Sequence, residues 1–511
     1  MKSALKNCLL VTSQNKEAAL WGLGEFAGLA KKRTFVNIFL MRIFVLILFI
    51  SLSSCGGGGG NPTSPPDPPN PTFSWEVVSP ESVGLSAEKV TAAMNFAMED
   101  GRYTQAAIII KNGKIVAEQY RGILSSEVTQ MVNHAQTSWT SDLLNSIYGT
   151  RDANSLVSSW SVAKSITSII FGIALEQGYF SGSLETTAAT YLTEWEGDSK
   201  NTITIKNLLD MRSGLVPKCY SDLGGWVECD GATILGGGGF VSSNDQLTEC
   251  INNRTMAATE TRHSWYQSGQ YDFNTGDWMY QNCDTQVLGE IFFREVGQDI
   301  KTFADTHLFS KIGITSDSAQ WWRDNTTGGQ ANGNYLTYCC LDMTARDFAR
   351  IALLLVNDGV WLGEQVIPLS YVQAIKNIAS TSVVGDGYVG TMSYGLKFWT
   401  LYGASICGLD GAGNYQNNGE KCVADNSVIT PQGFDGQYPS MDFQNKLIMI
   451  RFSLYHHANT LGATEKKMVA DSPPAPVNYI LTAPVVATSP VSPIAYGFPQ
   501  AIFWYMLNNG N

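Results

Sequence analysis

Four polar side chains stand out by type and spacing. Ser161 and Lys164 lie three apart near the start of an apolar stretch, residues 158–178, and Tyr280 and Asn282 form a Tyr-Gln-Asn triplet farther on. Positions three apart share one face of a helix. A serine hydroxyl at the positive end of a helix, with an amine beside it, can act as a nucleophile that carries its own base. The amine must be neutral to accept a proton, and burial together with a nearby positive field lowers a lysine pKa. Such a pair needs two further parts: a proton shuttle toward the leaving group and donors for a developing oxyanion. Tyr280 offers a hydroxyl for the first. For the second, Gly433-Phe434-Asp435-Gly436-Gln437 precedes the last strand signal, and a glycine on an edge strand lets backbone approach a ligand closely.

Context separates these residues from coincidence. Ser-x-x-Lys also occurs at Ser3/Lys6, Ser13/Lys16 and Ser86/Lys89, but only the copy at Ser161 opens an apolar helix. There Val162, Ile166, Ile169 and Ile173 recur at helical spacing, Ile170, Phe171 and Leu175 make other faces apolar, and Gly178 marks a stop. The bland alternative is a core helix whose Lys164 reaches out to water. Tyr-x-Asn recurs at Tyr415/Asn417, and only the Tyr280 copy leads into an apolar helix. Its bland alternative is an ordinary buried tyrosine and a turn asparagine. No Gly-x-Ser-x-Gly is present, so a nucleophile elbow is unsupported. The histidines His134, His263, His307, His456 and His457 lack ligand spacing and no Cys-x-x-Cys occurs, so neither a metal nor a cofactor is implied.

The elements that must hold these residues follow from the chain read in order. Residues 41–54 place one arginine before a short apolar run ending in small residues, the form of a secretory signal, and Leu52-Ser53-Ser54-Cys55 resembles a bacterial lipoprotein box. Cys55 is the expected lipidation site. Met41 is the expected translation start, with residues 1–40 an upstream extension. Residues 55–75 are Gly- and Pro-rich and read as a tether, leaving 76–511 as the globular part. By resemblance to other lipoproteins, Gly56 after the cysteine implies an exported protein held at the outer membrane, facing the periplasm or the cell surface.

Within the globular part, residues 86–100 predict a helix capped by Ser86, and 106–120 predict a hairpin around Asn112-Gly113. Residues 344–359 predict a second well-marked helix, with Thr344 and Asp347 as a capping box. A strand signal returns at 446–453, and a helix is expected over 500–507. Strands at both chain ends around a mostly helical middle predict an α+β domain. Its antiparallel sheet is flanked by the N- and C-terminal helices and built from both ends, with the helical region inserted between them. Residues 216–275 and 458–497 predict long surface loops. The net charge of −12 argues against nucleic acid as a partner. Beyond Cys8 and Cys55, eight cysteines in an exported chain predict disulfides. Cys219–Cys229 and Cys407–Cys422 are expected as local staples, whereas pairing among Cys250, Cys283, Cys339 and Cys340 is open.

Taken in order, Ser-Trp-Ser161-Val-Ala-Lys164-Ser, the stretch 203–215 (Ile-Thr-Ile-Lys-Asn-Leu-Leu-Asp-Met-Arg-Ser-Gly-Leu), Tyr280-Gln-Asn282 and Gly433-Phe-Asp-Gly436-Gln437 resemble the serine β-lactamase and penicillin-binding protein superfamily. The likeness is to its class C β-lactamase-like hydrolases, including esterases and 6-aminohexanoate-dimer hydrolases, and runs over about residues 76–511. The resemblance implies a β-lactamase/transpeptidase-like fold and a serine hydrolase working through an acyl-enzyme on small ester or amide substrates. It implies Ser161 as nucleophile, Lys164 as base, Tyr280 as proton relay and Asn282 as partner of Lys164 and substrate. It implies an oxyanion hole of the Ser161 and Gln437 N–H groups, with Gly436 allowing close approach. Phe434 departs from the family's Lys or His, and with Asp435 beside it the site disfavours a substrate carboxylate. Two alternatives stay open: a cell-wall D,D-peptidase or β-lactamase, and a catalytically silent tethered binding protein. The sequence is silent on oligomeric state.

Overall fold

The computed structural model describes residues 73–133, 140–216, 219–221, 225–227, 245–256, 278, 280–324, 333–378, 383–384, 392–401, 425–433, 436–454, 504 and 507. The chain divides into residues 1–70 and 71–511, and every described residue belongs to the second unit. The expected signal, Cys55 and the tether through residue 72 lie outside the described residues, as do Cys229, Phe434, Asp435, Cys407, Cys422 and the stretch 458–497, whereas Phe73 and Trp75, at the expected end of the tether, pack against the core.

Helix α1 (Ala87–Ala97) begins where the sequence predicts, with the Ser86 hydroxyl accepting from the Lys89 N–H at 3.3 Å. Strands β1 (Thr104–Lys111) and β2 (Lys114–Tyr120) form the expected hairpin. Alternate β1 residues serve two cores. Ala107 and Ile109 meet Val90, Ala93 and Met94 of α1, while Ile108 and Ile110 face the large core on the other side. A buried strand of this kind needs apolar residues at consecutive positions, which explains the run Ala-Ala-Ile-Ile-Ile.

The middle of the chain carries the site. Strand β3 (Leu156–Ser158) leads into helix α2 (Val162–Glu176), and helix α3 (Cys283–Val296) packs against it through Phe171 and Phe292, whose rings are 5.4 Å apart. Strands β4 (Gln320–Trp321) and β5 (Leu341–Thr344) complete a small sheet in the order β3-β5-β4. Helix α4 (Ala345–Val356) follows at once, Thr344 capping it by accepting from the Asp347 N–H at 3.1 Å and donating to Asp347 Oδ2 at 2.8 Å.

The last third returns to the large sheet as β6 (Val383–Val384), β7 (Met392–Gly395), β8 (Phe398–Leu401), β9 (Asp425–Thr430), β10 (Tyr438–Asp442) and β11 (Leu447–Ser453). The order is β6-β7-β8-β9-β10-β11-β1-β2, antiparallel throughout, so the two chain ends meet at the β11–β1 ladder. This is the predicted α+β architecture. Trp504 and Leu507, within the expected C-terminal helix, are helical and buried with α1 on the outer face. No helix among the described residues is long and apolar enough to cross a membrane.

Two expectations change, and one open pairing is filled. The stretch 158–178 is not helical from its start, because β5 captures Ser158 in a ladder and a turn intervenes before Val162. Residues 245–256 are not a free surface loop. Leu247, Cys250 and Ile251 are buried, Cys250 is bonded to Cys283, and the Ile251 carbonyl accepts from Trp195 Nε1 at 3.0 Å and Lys200 Nζ at 2.9 Å. The pairing left open is thereby Cys250–Cys283 and Cys339–Cys340.

One close approach ties the large sheet to the helical region. Gly433 lies between β9 and β10, and a Cβ there would stand 2.4 Å from the Ser159 carbonyl oxygen, two residues before Ser161. Such a contact cannot be accommodated without moving backbone. Gly433→Ala is therefore expected to lower catalytic efficiency by on the order of 10²-fold, the scale of a roughly 1 Å misplacement at an active site. Kinetics on the folded variant check this; wild-type efficiency would show that the approach is unimportant.

Candidate active site

Strand β3 and the turn after it deliver Ser161 to the end of α2. Ser159 is held on both sides by Leu341: its N–H donates to the Leu341 carbonyl and its Oγ accepts from the Leu341 N–H, each at 2.9 Å. Trp160 takes φ of 43°, the left-handed region, which turns the chain sharply into the helix. Ser161 is the N-cap, yet its side chain makes no capping bond. Its hydroxyl instead lies 2.8 Å from Lys164 Nζ, one turn along. Lys164 is fully buried, and its Nζ also donates to the Tyr338 carbonyl at 2.9 Å. The core-helix alternative, with Lys164 reaching water, is thus excluded. The Ser161 N–H donates no hydrogen bond among the described residues, and it stands at a helix N-terminus, where partial positive charge collects.

Tyr280 comes to the same place. Lys164 Nζ lies 5.1 Å from the centre of its ring. The ring lies tilted against Trp399 of β8 at 5.1 Å and meets Tyr394 of β7 edge-on at 5.9 Å. Asn282 is buried at the N-terminus of α3, beside the Cys250–Cys283 bridge that anchors that end. Between them Gln281 turns away and its Nε2 donates to Ser213 Oγ and to the Leu215 carbonyl, both at 3.1 Å. Ser213 Oγ in turn donates to Asp284 Oδ1 at 2.5 Å. The stretch 203–215 singled out in the sequence is the scaffold on which the Tyr-Gln-Asn triplet rests.

The segment 433–437 behaves differently from expectation. The Gln437 N–H donates to the Gly433 carbonyl at 3.2 Å while the Gly433 N–H donates back at 2.8 Å, so the amide assigned to the oxyanion closes its own turn in this conformation. The Gln437 side chain is buried, accepting from the Ser453 N–H at 2.9 Å and donating to Ser453 Oγ at 3.1 Å. Gly436 has φ of 85°, and a Cβ there would meet the Arg451 guanidinium at 2.3 Å. Its smallness serves the arginine, which donates to the Gly436 carbonyl at 2.8 Å. The residue that approaches the turn before Ser161 is Gly433.

Other residues escaped the sequence reading. Tyr338 contributes a main-chain carbonyl, which leaves no mark on residue type. Trp399 and Tyr394 wall Tyr280 from strands whose apolar residues resemble any sheet. Lys397 sits in the tight turn between β7 and β8, fully enclosed, with its Nζ 3.2 Å from Met211 Sδ and its carbonyl accepting from Ser165 Oγ at 2.5 Å. Burial pulls the Lys397 pKa from 10.5 to about 7, against the opposing pull of Asp284 and Asp210. No group of three or more His, Cys, Asp or Glu side chains suited to a metal occurs among the described residues.

The lowered Lys397 pKa has a thermodynamic consequence. Between the folded and unfolded pKa values the unfolded chain holds a proton that the folded chain lacks, so stability rises with pH across that window; below it the full cost of burying the cation remains. Lys397→Met is expected to raise Tm more at about pH 6 than at about pH 10. Calorimetry at the two pH values checks it; equal shifts would contradict a depressed Lys397 pKa.

The family model described as Beta-lactamase matches residues 88–419, more than half of the chain. The 6-aminohexanoate-dimer hydrolase of Paenarthrobacter ureafaciens is 26% identical over 167 residues, a match spanning 30% of this chain and 41% of that protein. Among solved structures, a penicillin-binding protein homologue from Caulobacter crescentus aligns over 79% of this chain and 97% of its own, with 12% identity and a TM-score of 0.45. A class C beta-lactamase aligns over 72% and 92%, with 14% identity and a TM-score of 0.43. On the matched family model, with Ser161, Lys164 and Tyr280 gathered at the head of α2, the chain belongs to the beta-lactamase family.

Proposed function

We propose that this protein is a serine hydrolase that forms an acyl-enzyme on Ser161 and cleaves ester or amide bonds of small neutral acyl substrates. The observation that carries the reading is the contact of Lys164 Nζ with Ser161 Oγ at 2.8 Å in a buried setting. In its neutral form the amine takes the serine proton as Oγ attacks the acyl carbon, and its own N–H stays on the Tyr338 carbonyl. Negative charge on the carbonyl oxygen is met by the Ser161 N–H at the positive end of α2. A second donor from Gln437 requires its N–H to leave Gly433 when substrate binds. Tyr280 passes a proton to the leaving group and later draws one from the deacylating water, while Asn282 orients Lys164 and the substrate. The match to a 6-aminohexanoate-dimer hydrolase supports amides within the substrate range.

Phe434 and Asp435 supply no cation for a substrate carboxylate, which is the ground for a preference for neutral acyl groups. We also place the domain outside the cytoplasm, tethered by lipid on Cys55, with disulfides such as Cys250–Cys283 consistent with an oxidising compartment.

Ser161→Ala is expected to lower ester hydrolysis on the order of 10³-fold or more while the protein stays folded. Lys164→Arg should not restore turnover, because arginine stays protonated at working pH. Hydrolysis of a short aryl ester by each variant decides; near-normal rates in either would remove the assigned role. On selectivity, Phe434→Lys is expected to raise kcat/KM for an anionic ester relative to a matched neutral one. An unchanged ratio, or a wild-type preference for the anionic ester, would contradict this account.

A further inference from the structure

The two adjacent cysteines, Cys339 and Cys340, form a disulfide, and both are fully buried. They lie in a segment that bonds residues on both sides of Ser161. Going along that segment, the Thr337 carbonyl accepts from Thr167 Oγ1 at 2.8 Å, and the Tyr338 carbonyl accepts from Lys164 Nζ at 2.9 Å. The Cys340 N–H donates to the Trp160 carbonyl at 3.3 Å, and the Leu341 N–H donates to Ser159 Oγ at 2.9 Å. The bridged pair thus stands between the carbonyl that holds Lys164 and the N–H that holds Ser159, two residues before Ser161.

The far side of the segment is fixed as well. The Cys339 carbonyl accepts from Trp321 Nε1 at 3.2 Å, the Cys340 carbonyl from the Trp322 N–H at 3.0 Å, and the Tyr338 hydroxyl donates to Gln246 Oε1 at 2.8 Å. Within this frame Cys340 adopts φ of 72°. A residue with a Cβ enters that region at a cost and stays there only when its surroundings over-determine it. The small ring closed by bonding neighbouring cysteines is such a constraint, since it ties the backbone torsions on either side of the 339–340 peptide to each other. Opened, the ring no longer restrains Cys340 to positive φ, and the Tyr338 carbonyl and Cys340 N–H keep only their hydrogen bonds to hold their direction.

We propose that the Cys339–Cys340 disulfide is a positioning element of the active site: it fixes the Tyr338 carbonyl that holds Lys164 against Ser161. The inference rests on the reading of Lys164 as the base. A purely stabilising bridge would alter Tm and leave turnover per folded molecule alone. A positioning bridge acts on turnover, because the amine must stay in line with the hydroxyl. It also acts on the pH profile, because a carbonyl acceptor favours the ammonium over the amine and so raises the pKa of the group it holds.

The test compares wild type with the Cys339→Ser/Cys340→Ser variant in Tm, in kcat and KM on a neutral aryl ester, and in the pH profile of kcat/KM. The expected result is a fall in kcat on the order of tenfold to 10²-fold, as for a small misplacement of a catalytic group. KM should be nearly unchanged, and the rising limb of the profile should move to lower pH. Unchanged kcat and limb in a cooperatively folded variant would overturn the proposal whatever happens to Tm. If that variant does not fold, wild type treated with dithiothreitol carries the same measurement. Each Sγ takes one electron and one proton as the reagent closes to its own disulfide, and alkylation and peptide mass confirm free thiols at 339 and 340. A Cys250→Ala/Cys283→Ala enzyme treated identically removes the contribution of the other described bridge. Should Ser161→Ala be inert while the 339–340 dithiol keeps full kcat, the positioning inference alone fails. Should Lys164→Arg turn over normally, the underlying reading of the base fails instead.

Discussion

The structure depends on keeping a lysine amine out of water and within reach of one hydroxyl. An ammonium group in bulk solvent is strongly hydrated; removed from water, it must bond to the partners that the protein supplies. Burial alone would leave the amine without direction. Here the Tyr338 carbonyl takes one bond from Lys164 and so aims the nitrogen at Ser161. The rest of the domain is arranged so that α2, which bears both residues, and the segment 336–341, which bears the carbonyl, cannot drift apart. Ser159, Trp160, Lys164 and Thr167 all bond to that segment.

The large sheet contributes from the other side. Its β9–β10 junction brings Gly433 against the Ser159 carbonyl, and its β7–β8 turn buries Lys397 beside Met211, which clusters with Trp278 and Tyr394. Leu396 in the same turn donates its N–H to Asp210 Oδ1 at 2.8 Å, and the Lys397 N–H donates to the Leu209 carbonyl at 3.0 Å. The β7–β8 turn therefore meets the stretch 203–215, against which Gln281 of the Tyr-Gln-Asn triplet also rests. A site assembled at the junction of a sheet and a helical region inherits its precision from both.

Much of this arrangement was legible in the residues. The apolar period after Ser161, the Asn112-Gly113 turn and the strand signals at both chain ends fixed the sheet-plus-insert architecture, because side-chain periodicity reports burial directly. Ser161, Lys164 and Tyr280 were legible because their chemistry resides in their side chains. The parts that were not legible act through the backbone. Tyr338 matters for its carbonyl and the Ser161 N–H for its direction, and neither depends on which side chain is attached. Gly436 and Gly433 look alike in sequence, and only packing reveals that the first makes room for Arg451 and the second for Ser159. The cysteines were countable, but the pairing of Cys250 with Cys283 follows from the docking of residues 245–256 on α3, a tertiary event that spacing does not encode.

The claim on which all of this turns is that Ser161 is acylated during turnover. The direct measurement is rapid acid quenching of the enzyme with an aryl ester of a slowly hydrolysed acyl group, followed by peptide mass analysis. The account predicts a mass gain equal to the acyl group on the peptide containing Ser161, appearing as fast as the phenol is released. Turnover of the ester with no covalent adduct, or an adduct confined to another residue, would contradict it.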